Sequence, residues 1–85
     1  MGLFSKKPKI DLEQKFKDTY KEISKIVSNA NSELDFTIKV SLLKLASEKY
    51  NDLLEMIDQG ASFEKEHFIS LKKGLDDQIE KMQDL

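Results

Sequence analysis

The chain has 85 residues, with 14 basic and 16 acidic side chains, a net charge of −2 and no cysteine. A chain of this length makes at most one domain with a thin core, and without cysteine it has neither disulfides nor thiolate metal sites. No stretch approaches the roughly 18 apolar residues of a membrane span, and every basic residue is a lysine, so the bidentate fork with which arginine reads guanine and phosphate is missing.

The head, Met1-Gly2-Leu3-Phe4-Ser5-Lys6-Lys7-Pro8-Lys9, has an apolar part only two residues long, where an export signal needs about 7–15. The expected compartment is therefore the cytoplasm. Lys6 also occupies the position where an N-myristoylation signal wants Ser or Thr. Residues 1–9 read as a basic flexible tail, with Lys6, Lys7 and Lys9 as its candidate contact residues and Pro8 upstream of the first helix. Residues 10–85 read as a single helical domain, rich in Lys, Glu, Leu, Asp and Ile and carrying only three Gly and one Pro.

The first helix is expected over about 11–28. Leu12, Phe16, Tyr20, Ile23, Ile26, Val27 and Ala30 form one apolar stripe at steps of three and four. Asn29-Ala30-Asn31-Ser32 predicts a break, with Ser32 and Asp35 in the spacing of a capping box. Against the break, Leu34, Ile38, Leu42 and Leu45 continue the first stripe in nearly the same phase. A single long helix kinked near 29–32 therefore remains open.

The second helix, about 33–59, carries two stripes. One is Leu34, Ile38, Leu42, Leu45, Leu53 and Met56. The other is Phe36, Val40, Leu43, Ser47, Tyr50, Leu54 and Ile57, at the alternating steps of an a/d heptad seam. A helix apolar around so much of its girth needs more than one neighbour. Either the first and third helices cover both stripes, or another chain covers one. The second option makes Phe36, Val40, Leu43, Tyr50, Leu54 and Ile57 a candidate partner-packing seam.

Gly60 ends this helix as a C′ residue, and Ser62 is placed to cap a third helix over about 63–83. It presents Phe63 and then a stripe of Phe68, Leu71, Leu75, Ile79 and Met82. The short link forces an antiparallel hairpin. The predicted fold is all-α, a three-helix up-down-up bundle, with two long helices dimerising into a bundle as the alternative. The predicted core is Leu12, Phe16, Tyr20, Ile23, Val27, Ile38, Leu42, Leu45, Tyr50, Leu53, Leu54, Ile57 and the five residues of the third stripe.

Chemistry-bearing groups are sparse. Glu64 and His67 make the Glu-x-x-His step of di-iron bundles, which need two such motifs and two further Glu. One His cannot supply them, and a half-exposed structural role is expected. Asp76, Asp77 and Glu80 read as a solvated acidic face. No nucleophile stands beside a base, and no Gly-rich phosphate loop occurs. Catalytic residues, metal ligands, cofactors and a small-molecule substrate are not expected.

Residues 1–30 hold seven Lys and four acids, net +3, and residues 31–85 hold seven Lys and twelve acids, net −5. The expected role is a non-catalytic protein–protein interaction module working through helix packing, either as a homodimer or on another protein. The acidic C-terminal part motivates an alternative, a small helical regulator, inhibitor or immunity-type protein. The Lys-rich N-terminal third motivates another, binding to nucleic acid or a membrane surface, which the negative total charge and the missing arginine disfavour.

The Met1-Gly2-Leu3-Phe4-Ser5-Lys6-Lys7 head, the all-lysine basic set and the hairpin around Asp58-Gln59-Gly60-Ala61-Ser62 resemble short uncharacterised proteins of Gram-positive cocci, of the streptococcal type, that look like long α-hairpins. This resemblance implies a hairpin-based fold in a bacterial cytoplasm and brings no activity, cofactor or binding residue with it.

Overall fold

Three helices follow one another in the computed structural model, which describes residues 8–84: α1 (Pro8–Ser32), α2 (Phe36–Asp58) and α3 (Lys65–Gln83). They form an all-α, up-down-up three-helix bundle with α2 packed against both α1 and α3.

Helix α1 starts three residues before the expected position 11. Pro8, expected upstream of the first helix, is the first residue of α1. Proline suits that position because its φ is already helical and an N–H there has no intrahelical partner. Lys9, assigned to the tail, thus belongs to α1, while Lys6 and Lys7 lie outside the described residues.

The break between α1 and α2 also moves. Asn29, Ala30, Asn31 and Ser32 stay helical, and the chain turns at Glu33-Leu34-Asp35. Ala30 is fully buried against the rest of the core, so packing holds a last turn whose Asn and Ser residues oppose it by only some tenths of a kcal/mol each. Asp35 is the N-cap itself, not the distal half of a capping box begun by Ser32. Its side chain accepts from the Ile38 N–H at 3.0 Å, and Glu33 Oε2 accepts from the Asp35 N–H at 3.0 Å. The single kinked helix is excluded by this reversal.

The second turn is set by Gly60, whose φ is +125°. The Gly60 N–H bonds to the Ile57 carbonyl and the Ala61 N–H to the Met56 carbonyl, both at 3.0 Å. These are the paired closing bonds of a Schellman motif, and Ala61 is buried beneath them. Helix α3 then begins at Lys65, two residues later than Phe63, with Glu64 and not Ser62 at its N-cap position. The Ser62 N–H instead bonds to Glu13 Oε2 at 3.2 Å. Phe63 leaves the helical path to stack on Phe16, with ring centroids 4.0 Å apart.

The core runs along α2, where Leu43, Ala46 and Leu53 are fully buried. From α1 it takes Phe16, Ile23 and Ala30, and from α3 Phe68, Leu75 and Ile79. Among the described residues no Cα of α1 comes within 8 Å of one of α3. These two helices meet through aromatic rings. Phe68 of α3 stands edge-on to Phe16 at 5.0 Å and to Tyr20 at 5.7 Å.

Three predicted core residues are corrected. Tyr20, Ile38 and Leu45 are exposed at 37%, 48% and 42%. Tyr20 meets Phe68 through its ring, and Ile38 and Leu45 sit on a flank of α2 that its neighbours cover only in part.

Candidate interaction surface

Two interhelical pairs fix how α2 sits between its neighbours. Ser47 bonds to Asp76 of α3, and Lys49 pairs with Glu22 of α1 at 3.4 Å. At 100° per residue, Ser47 and Lys49 point to opposite sides of α2. The expected partner-packing seam therefore faces inward. Val40, Leu43 and Tyr50 are buried, and Leu54 and Ile57 are half-buried against the same core. The seam is the bundle's own interior, because α3 lies along it.

Phe36 is the exception, half-exposed at the start of α2. The Ser47–Asp76 and Asp58–Lys65 pairs set a register in which Gln83, the last residue of α3, lies level with Val40. Phe36 is one turn beyond that end and is half-exposed.

The surface left bare is the start of the other stripe, whose Leu53 is fully buried and whose Leu42 and Met56 are half-buried. Leu34 in the first turn is 98% exposed, and Ile38 and Leu45 are about half exposed. Leu42, between them in sequence, is half-buried. Steps of four and three place Ile38, Leu42 and Leu45 in one row, nearly half a turn of helix away from Ser47 and thus away from α3. The phase continuity with α1 that these residues show in sequence has no packing meaning, since the chain reverses at residues 33–35.

Asp52 continues this row towards the other end of α2, alongside Lys49 and the half-buried Met56, and Glu48 and Glu55 lie to one side of it. Glu48, Asp52 and Glu55 are exposed, and Asp52 follows Leu45 at the heptad step that Leu45 follows Ile38. Among the described residues none of these three acids has a lysine within 4.0 Å. The flank thus has an apolar half near the first turn and an acidic half near the second.

A second concavity lies on the α1 side of Tyr50. It is an open groove of about 430 Å³, lined by Ile23, Val27 and Tyr50 and by small polar residues that include Ser24, Ser28 and Asn31. Burial, and less so the neighbouring Tyr20, raises the Tyr50 hydroxyl above its ordinary pKa of 10.0, so it stays protonated at neutral pH.

The expected acidic face on α3 is divided. Asp77 and Glu80 are exposed, but Asp76 is half-buried. It accepts from the Ser47 hydroxyl and from Lys72 Nζ, the latter at 2.7 Å. Partial burial pushes its carboxyl up, but the hydrogen bonds from Lys72 and Ser47 and the Lys72 charge together outweigh burial and hold it below its ordinary value. The signal in sequence was Ser47 itself, a hydroxyl standing in the apolar seam that needs a partner once buried.

His67 is exposed, its ring edge-on to Phe68 at 5.0 Å. Among the described residues no three His, Asp or Glu side chains stand together as a metal-binding group, and no helix is long and apolar enough to cross a membrane. The chain matches no protein-family model, no curated protein and no solved structure.

Proposed function

We propose that this protein is a non-catalytic interaction module that offers the bare flank of α2 to a helix of a partner. The observation that supports this reading is the half-exposed pair Ile38 and Leu45 on one face of α2, with a fully exposed Leu34 in the turn before it. Single exposed apolar residues are ordinary on a surface, but a helical row of them on an otherwise charged chain is how helix-in-groove recognition begins. Self-association through the heptad seam from Val40 to Ile57 would have to displace the bundle's own packing. A reducing compartment such as the bacterial cytoplasm suits a chain with no cysteine.

The test uses a synthetic amphipathic helix with one leucine row and glutamine elsewhere. The full-length protein should bind it saturably. The double variant Ile38→Ser, Leu45→Ser should lose that binding while its urea midpoint changes little, since half-exposed residues contribute within about 0.5 kcal/mol each. Loss of stability by several kcal/mol would assign the row to the core instead. Absence of both peptide binding and self-association in the wild type would end the reading.

A further inference from the structure

The charge pattern on the same flank narrows the partner. Resting on the interaction-module reading, we propose that the flank takes an amphipathic helix of another protein whose apolar row is followed by lysine or arginine, and not a second copy of this chain.

Two identical helices related by a two-fold axis can share this flank either parallel or antiparallel. Parallel pairing sets Ile38 on Ile38 and Leu45 on Leu45 but also Asp52 against Asp52. Antiparallel pairing that joins apolar to apolar sets Ile38 opposite Leu45 of the second copy and brings Glu48 of each copy beside Leu34 of the other. Sliding the antiparallel pair to centre on Leu45 sets Ile38 against Asp52 instead. One arrangement repels and the others strand an apolar side chain against a carboxylate, so none suits a self-pair. A basic helix meets both halves of the flank at once. Its leucines cover Leu34, Ile38 and Leu45, and its cations reach Glu48, Asp52 and Glu55. All three acids are exposed, and among the described residues no lysine of this chain comes within 4.0 Å of them, Lys15 being the cation that shares a groove with Asp52 and Glu55.

The groove beside Tyr50 lacks this pairing of apolar and charged ground. Its rim is serine and asparagine, which selects no partner of particular charge.

Three peptides with one leucine row in common test the proposal, differing only in whether Lys, Gln or Glu follows the row. At low salt the Lys peptide should bind the full chain about tenfold more tightly than the Gln peptide, the sum of two or three exposed ion pairs, and the Glu peptide more weakly still. The advantage should shrink as salt rises past about 0.15 M. The variant Glu48→Lys, Asp52→Lys should reverse the order, a readout that misfolding cannot imitate. Equal binding of all three peptides would overturn the charge assignment and leave the interaction module standing. Dimerisation of the wild type that Leu45→Ser abolishes would make the occupant a second copy and overturn the proposal. Failure of the Gln peptide together with the others would remove the module reading itself.

Discussion

Ser47 is the one polar side chain buried among the described residues, and its hydroxyl is satisfied by Asp76, which Lys72 also holds. The three groups tie α2 to α3 and fix the register that leaves Phe36 half-exposed. In a double-mutant cycle Ser47→Ala and Asp76→Ala should couple by about 1 kcal/mol, because either change alone strands part of a charge-assisted hydrogen bond. The Asp76 carboxyl sits below its ordinary value of 3.8, so its contribution is present above that value and is lost as pH falls through the lower folded-state value. The stability gap between wild type and Asp76→Asn, read from urea midpoints, should accordingly be open at pH 6 and narrow below about pH 4. A gap independent of pH would mean that the ion is not what matters there. At Gly60 the constraint is backbone alone, since a Cβ would meet nothing within 4 Å but φ is +125°. Gly60→Ala should cost about 1–2 kcal/mol in thermal or urea unfolding, and an unchanged midpoint would show that the turn relaxes to another conformation.

Between helices, association rests on unlike contacts. Helix α2 touches α1 and α3 along its length, whereas α1 and α3 meet through Phe16, Tyr20 and Phe68, with Phe63 stacked on Phe16 from the turn. Phe16 is 2% exposed and joins all of these elements, so Phe16→Ala should cost about 3–5 kcal/mol, a cavity penalty at the centre of the cluster. Ile38→Ser should cost far less. Much of this architecture was legible in the sequence. The 3.6-residue period marked each helix, and Gly60 marked the second turn because only glycine enters that conformation freely. The first turn was misplaced because local propensity at Asn29–Ser32 is weaker than the burial of Ala30. Which of the two α2 stripes lies inside was also illegible. Both have helical period, and the choice depends on where α1 and α3 sit around α2, which neither stripe encodes alone. The start of α3 slipped because Phe63 serves the aromatic cluster from a non-helical residue, a contact between Phe16 and a position 47 residues away.

Taken whole, the molecule is long and flat, its Cα atoms spanning 56 × 22 × 12 Å. Such a shape leaves α2, the central helix, with one flank that its neighbours cover only in part. The central claim is that this flank, and not the heptad seam, is where a partner helix lies. Amide NMR of the full-length protein, titrated with the Lys-flanked leucine peptide, tests it most directly. Shifts concentrated at Leu34, Ile38, Leu45, Glu48 and Asp52, with Val40, Leu43 and Tyr50 little moved, are the predicted result. Shifts centred on Tyr50, Val27 and Ser28, or opening of the bundle at Leu43, would contradict it.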